Sequence, residues 1–330
     1  MRRDSSGSSA PPAAAKHGIT SRPWWPTFKR IVTLVFFALV GYLLYTQART
    51  VEWGEVMQTL RRRPLQGLLL ASLLAAGSYA LYSCFDLIGR YTTGHRLGTL
   101  QVMLINFISY AFNLNMGALV GGVAFRYRLY SRFGLEAGVT TRVVAMSMLT
   151  NWLGYLLLAG LVFAISPVSP PPDWKLDTFG LRVLGIALFA AAMAYLLLCA
   201  FSRRRTWTVR GHEVILPSLR LALLQLAMSS ANWLLIAATV YTLLEQKIAF
   251  PAVLGVLLVA AVAGVITHVP AGLGVLEVVF VVLLSHQLPR SELLAALLAY
   301  RAIYYLAPLA IAAVTYLAVE AHAKKSARAA

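Results

Sequence analysis

Acidic residues are scarce in this 330-residue chain, with 12 Asp and Glu against 29 Lys and Arg. Charged residues of both signs reach only 12%, while hydrophobic residues reach 59% and the mean hydropathy is +0.71. An ordinary soluble domain needs about a quarter of its residues charged, so that class is excluded. Cysteine is nearly absent: Cys84 and Cys199 both sit in apolar stretches, away from any metal-ligand spacing. That excludes a disulfide framework and a zinc module, and leaves both as small hydrophobes. Walker loops, dinucleotide fingerprints and Ser-His-Asp arrangements are missing, so no cofactor or metal is expected. Sustained strand alternation is missing too, which excludes an outer-membrane barrel. The net charge of +17 is not a nucleic-acid signature. Its basic residues fall between hydrophobic runs, where anionic head groups attract each by about 1 kcal/mol.

What the chain does have is a series of apolar runs near membrane-spanning length. They read as Phe28–Thr46, Leu65–Ile88, Thr99–Val120, Ala137–Ile165, Phe179–Phe201, Leu219–Leu244, Val253–Val269, Val275–Leu288 and Leu293–Val319. The fold class is therefore all-α, a polytopic helical membrane bundle. A disordered basic leader (1–27) precedes a single transmembrane domain (28–320), and a basic tail (321–330) follows. Val51–Pro64 reads as an amphipathic surface piece, and Arg61–Arg63 on it sit on the wrong side for basic residues. With the leader, the Arg203–Arg205 loop and the tail in the cytoplasm, the Pro-rich Ser166–Asp177 connector lies outside. Thr99–Gly134 then starts and ends inside, and Ala249–Arg290 starts and ends outside. Loop parity leaves each block open as a re-entrant hairpin or as two spans. Two pseudo-halves, 28–165 and 178–320, thereby suggest an inverted repeat.

Each block contains a glycine-bearing break. The first runs Asn113-Leu-Asn115-Met-Gly117-Ala-Leu-Val-Gly121-Gly122-Val-Ala-Phe-Arg126. Asn106, Ser109, Asn113 and Gly117 share a helical face, the glycines allow tight turning, and the planar fork of Arg126 suits a phosphate. The plain alternative is helix-joining polar residues with a positive-inside anchor; Arg128 and Arg132 read as anchors. The second break, His268-Val-Pro270-Ala-Gly272-Leu-Gly274-Val-Leu-Glu277, is the stronger signal. It returns a carboxylate to an apolar run, at about 2.5–3.5 kcal/mol on insertion scales. Broken backbone at that depth needs cover from protein or a watery cavity. A helix cap or a structural ion pair is the competing explanation for Glu277, and an interfacial histidine the one for His268.

The last run carries Arg301, Tyr304, Tyr305 and Pro308 at helical spacing, with Glu277 and Asp86 as candidate partners for the arginine. Weaker polar stripes are Tyr79, Tyr82, Ser83 and Asp86; Ser147, Asn151 and Gly154; and Gln225, Ser229 and Asn232. Each alone reads as helix packing; together they suggest an amphiphilic interior.

At these residues the chain resembles the lysylphosphatidylglycerol synthase transmembrane region, the flippase-type half of MprF proteins. Asn113–Arg126, Pro270–Glu277 and Tyr300–Pro308 carry the likeness, with Ala271 where the family usually has glycine. It is similar above all to the stand-alone, YbhN-like inner-membrane members, through CFDLIGRY, QVMLINFISYAFNLN, RYRLYSRFGL, TNWLGYLLLAG and AALLAYRAIYYLAPL. The resemblance implies a bacterial inner-membrane protein of flippase-like class. Ending at Ala330, the chain leaves no room for the synthases' soluble aminoacyl-transferase domain, so no enzymatic activity is expected.

The expected function is translocation of a phospholipid or related lipid-linked amphiphile. Arg126 and Arg301 would attract an anionic head group and Glu277 would balance the site. The pathway is expected to include Asp86, Asn113, Asn115, Gly117, Gly121, Gly122, Arg126, Asn151, Asn232, His268, Pro270, Gly272, Gly274, Glu277, Arg301, Tyr304 and Tyr305. The alternatives are a lipid-modifying transferase with Glu277, Asp86 or His268 as base, and a non-transporting partner of envelope-biosynthesis enzymes. Membrane lipids are the expected partners, and nucleic acid is not.

Overall fold

The computed structural model describes residues 53–165, 178–203, 206–209, 212–267 and 274–329, together with 38, 42 and 45. The chain divides into two compact units, Met1–Thr50 and Val51–Ala330. The leader, most of the Phe28–Thr46 run, the Pro170–Pro172 loop, and His268, Pro270 and Gly272 therefore lie outside the described residues.

The second unit is a helical bundle. Its elements are α1 (Trp53–Arg62), α2 (Leu65–Ser83), α3 (Phe85–Thr93), α4 (Thr99–Met116), a π-helix π1 (Ala118–Ala124), α5 (Phe125–Arg132), α6 (Ala137–Ile165), α7 (Thr178–Phe201), α8 (Leu219–Leu243), α9 (Phe250–Thr267), α10 (Val275–Leu284), α11 (Arg290–Tyr300), a second π-helix π2 (Arg301–Leu306) and α12 (Ala307–Ala329). Among the described residues, six helical stretches are long and apolar enough to cross a membrane: 65–93, 137–165, 178–201, 219–243, 250–267 and 290–321.

Three expectations change. First, the all-α reading gains a small exception, because Thr206–Val209 (β1) and His212–Ile215 (β2) form an antiparallel hairpin. Thr206 lies opposite Ile215 and Val209 opposite His212. β-Branched residues on both sides of Arg210-Gly211 favour this pairing, but four-residue strands are too short to stand out as alternation. Second, Thr99–Val120 is not one of the six spanning stretches. Its helix stops at Met116, and Gln101, Asn106, Asn113 and Asn115 dilute its apolar character. Third, Val275–Leu288 shrinks to the ten-residue α10, about 15 Å long against a hydrocarbon core of about 30 Å.

The expected amphipathic piece forms as α1. Arg63, just beyond it, answers the question its position raised. Its Nη1 donates to the carbonyl of Leu243, the last residue of α8, and lies 3.5 Å from Glu245. A cation at a helix C-terminus satisfies an orphan carbonyl and the helix dipole together.

The centre of the bundle is α6, which packs against α3, α7 and α8. A Cβ on Gly154 would lie 2.3 Å from Ser229 Oγ, so glycine there sets how closely α6 and α8 approach. The Asn151 carbonyl accepts from Ser229 Oγ (2.9 Å) and Trp233 Nε1 (3.3 Å) at the same crossing.

Candidate functional site

The first break is a hairpin. The chain turns at Gly117 (φ +84°) and π1 folds back along α4, bringing Gly121 against Phe112 and Asn113. A Cβ on Gly121 would lie 2.2 Å from the Asn113 nitrogen, and one on Gly122 2.9 Å from Asn113 Oδ1. Further along, this antiparallel course sets Arg126 beside Asn106. Its guanidinium binds Asp86 Oδ2 through Nε (3.1 Å), the Gly122 carbonyl through Nη1 (3.0 Å), and Asn106 Oδ1 and Ser147 Oγ (3.3 Å) through Nη2. Tyr130 Oη also donates to Asp86 Oδ2 (2.9 Å). Asp86 is 0% exposed and Arg126 2%. Arg126 is thus held by the protein's own groups in this conformation, rather than presented to a head group. Asp86 Oδ1, at the same spot, is buried without a partner among the described residues.

The second break brings Glu277 to Arg301, a fork-to-carboxylate pair through Nε–Oε1 and Nη2–Oε2 (2.9 Å). Of the two partners weighed for Arg301, Asp86 is taken by Arg126. Gly274 (φ +78°) caps α10, so Glu277 also sits in the first turn, where the helix dipole favours a carboxylate. The Arg301 guanidinium carbon lies 5.5 Å from the Tyr305 ring centre. Both side chains are partly exposed, at 11% for Arg301 and 22% for Glu277, unlike the sealed Asp86–Arg126 pair.

Each arginine adjoins a π-helix: Arg126 follows π1, and Arg301 begins π2. Such wide turns recur at functional sites and free backbone carbonyls. Pro308 adds to this, since it offers no N–H to the Tyr304 carbonyl four residues earlier. Tyr79 Oη fills that vacancy (3.0 Å), and Asn115 Nδ2 reaches the Tyr305 carbonyl (3.3 Å). Tyr79→Phe is expected to lose about 1 kcal/mol of stability, measured by thermal unfolding in detergent, with little change in packing.

A seam of hydroxyls lies between the two pairs. Ser78 donates to Asn232 Oδ1 (2.7 Å), so its one hydrogen is committed and Tyr304 must donate to Ser78 Oγ (2.6 Å). Tyr110 then donates to Tyr304 Oη (3.1 Å). Tyr110 stacks on Tyr82 at 3.6 Å, and the Tyr82 carbonyl accepts from Asn106 Nδ2 (2.8 Å), which returns to Arg126. On the other side Tyr304 stacks on Tyr300, which lies edge-on to Tyr305 beside Arg301. Ser109 Oγ, Asn115 Oδ1 and Asn232 Nδ2 are buried without a partner among the described residues.

Asp86, Asn115, Arg126, Glu277, Arg301, Tyr304, Tyr305 and Asn232 are therefore joined by one set of contacts. Asn113, Gly117, Gly121 and Gly122 build the hairpin beside it, and Gly274 caps the helix bearing Glu277. Asn151 instead serves the α6–α8 crossing through its backbone. Ser78, Tyr110 and Tyr130 also belong to this set, and their sequence spacing carries no signal beyond Tyr110 standing in the same run as Asn106 and Asn113. Arg128 and Arg132 do more than anchor, since they pair with Glu320 on α12 at 3.1 and 2.7 Å. In the turn after α3, His95 buries both ring nitrogens without a partner among the described residues. Burial, and then the Arg90 charge, push its pKa down. Among the described residues no cluster could hold a metal ion.

This arrangement defines a polytopic membrane protein with charged pairs inside its bundle. Residues 30–312 match the family described as Lysylphosphatidylglycerol synthase TM region, and the chain belongs to that family. It is 46% identical to Inner membrane protein YbhN of Escherichia coli (strain K12), over 92% of this chain and 96% of that one. An uncharacterized protein of Synechocystis is 30% identical over 81% of this chain and 84% of its own. Phosphatidylglycerol lysyltransferase of Staphylococcus haemolyticus is 24% identical over 86% of this chain but only 33% of its own length, so the likeness covers about a third of that enzyme. The chain is thus a multi-pass inner-membrane protein of the Lysylphosphatidylglycerol synthase TM region family.

Proposed function

We propose that this protein moves a phospholipid, or a related anionic lipid-linked amphiphile, across the bilayer along the seam between its two hairpins. The observation that carries the reading is the partly exposed Glu277–Arg301 pair, set in the first turn of α10 and joined by tyrosines to the sealed Asp86–Arg126 pair. Charges inside a bundle are costly and mark pathways by default. A pair that keeps some exposure can exchange its internal partner for a phosphate without leaving either charge bare for long. α10 is half a bilayer long, which supports a re-entrant second hairpin. The fold-back at Gly117 supports the same for the first, and with them an inverted repeat having both termini cytoplasmic. In this scheme Arg126 is the less accessible cation, reached only if the first hairpin shifts and frees it from Asp86.

The test is head-group translocation of fluorescent phospholipids in proteoliposomes. Glu277→Gln and Arg301→Met should each lower the rate at least about tenfold, the equivalent of 1.4 kcal/mol. Arg301→Lys should recover part of it, because a point charge replaces the fork. Wild-type rates in both single variants would remove the pair from the pathway. A lipid-modifying enzyme would instead yield a new lipid species by mass spectrometry.

A further inference from the structure

At the end of the bundle opposite the Arg128–Glu320 clamp lies a cavity of about 330 Å³, walled by Arg63, Glu245, Lys247, Leu288, Ser291 and Glu292. Its size is at the lower end for small-molecule sites. A second cavity of about 250 Å³ shares Arg63 and Glu245 and is walled by Pro64 and by Leu68 and Leu70 of α2. The charges alternate in sign around the rim. Arg63 lies 3.5 Å from Glu245, and Lys247 Nζ lies 3.1 Å from Glu245 and 2.7 Å from Glu292.

Backbone strain is concentrated in this rim. Among the described residues, Glu245 (φ 55°) and Gln246 (φ 59°) are the two non-glycine residues with positive φ, in a region where side chains are disfavoured. Gln246 N donates to Tyr241 O and Lys247 N to Leu244 O, both at 3.2 Å, which holds the turn closed. Such conformations persist where the surroundings over-determine them, often at ligand clamps. The Lys247 ammonium is held above its ordinary pKa by Glu292 and then Glu245, so it stays charged.

We infer that this cleft binds the head group of a zwitterionic aminophospholipid, a phosphodiester linked through two carbons to a primary ammonium. The rim sums to zero charge, its two cations and two carboxylates paired with one another in alternation. A simple anion would meet Glu245 and Glu292, and a simple cation would meet Arg63 and Lys247. A ligand carrying both charges lets the phosphate take the cations and the ammonium take the carboxylates, leaving no charge unpaired. The second cavity gives the chains their exit. Its wall includes Leu68 and the 45% exposed Leu70 of α2, and the same helix carries Leu65, Leu69 and Leu73, which are 68%, 61% and 69% exposed at i, i+4 and i+8, as an apolar stripe. The inference rests on the proposed lipid-handling role only for placing this end of the bundle at the bilayer surface.

Native mass spectrometry of the full chain in detergent, with equimolar phosphatidylethanolamine, phosphatidylglycerol and phosphatidylcholine of matched chains, tests it. Phosphatidylethanolamine should be retained about tenfold over the others, since trimethylation removes the N–H donors and glycerol removes the ammonium. Glu245→Gln with Glu292→Gln should abolish that preference. Ser291→Phe, which fills the cavity and keeps every charge, should also reduce retention. Equal retention of the three lipids, or a preference that survives both the double variant and Ser291→Phe, would overturn the inference. Displacement by soluble glycerophosphoethanolamine as readily as by the lipid would overturn its apolar part. Retention without translocation in proteoliposomes would leave this site standing and sink the pathway reading; the opposite pattern would do the reverse.

Discussion

Asp86→Ala is expected to cost about 3–5 kcal/mol of stability, because it leaves the Arg126 guanidinium buried with no opposite charge. Asp86 is 0% exposed, so water cannot take over the lost role without opening α3, α5 and α6. Asn106, Ser147 and the Gly122 carbonyl would still bond the guanidinium, but their dipoles do not replace a full negative charge. Removing both charges with Asp86→Ala and Arg126→Leu should recover most of the loss, since apolar residues of similar volume often match a buried pair. Thermal unfolding of the four proteins of this cycle, in one detergent, gives the coupling directly. A double variant as unstable as the sum of the singles would show that the pair contributes nothing as a pair. Translocation by a double variant that folds would show that Arg126 is structural.

Gly121→Ala should be the most disruptive single-methyl change in the first hairpin. The added carbon would sit 2.2 Å from backbone atoms of both Phe112 and Asn113, and backbone cannot swing aside as a side chain can. π1 would have to lift off α4, taking Arg126 away from Asn106. The expected result is loss of the folded protein from the membrane fraction, or a drop of several kcal/mol, beyond the usual 1–3 kcal/mol of overpacking. Gly117→Ala is the control: nothing lies within 4 Å of its Cβ position, and only its positive φ resists the change. Its cost should stay within about 1–3 kcal/mol, the range for a backbone region that is essentially glycine's alone. Size-exclusion profiles and unfolding midpoints of the two variants check the contrast. Equal behaviour would mean that turn conformation, not close approach, governs the hairpin.

Much of this was legible in the sequence, for reasons that differ by residue. Glu277 and Arg301 stood out because an ion in an apolar run has few tolerable explanations, and the structure joins them. The hairpin at Gly117 was visible as a cluster of glycines after asparagines, although Gly121 and Gly122 turn out to matter through close approach rather than bending. The partner of Arg126 was harder to read. Asp86 lies 40 residues upstream, and no local spacing links them; only tertiary packing decides which of two arginines receives it. The Arg63 cap was opaque for the same reason, since its acceptor is a backbone carbonyl 180 residues away. Ser78 and Tyr110 were hidden because a serine and a tyrosine on apolar helices look like ordinary packing until their hydroxyl hydrogens are counted.

The wide turns at Arg301–Leu306 carry a consequence for everything beyond them. A residue gained or lost in a helix shifts the azimuth of all later side chains by about 100°. Through this stretch Tyr304 looks toward Ser78 and Tyr110, while Tyr316 and Glu320 farther on still face Arg128. Two distant appointments on one helix are kept by a phase correction written into its middle. Tightening that stretch to regular winding would release one of them, so the fit at the tyrosines and the grip at the far end of the bundle are mechanically linked.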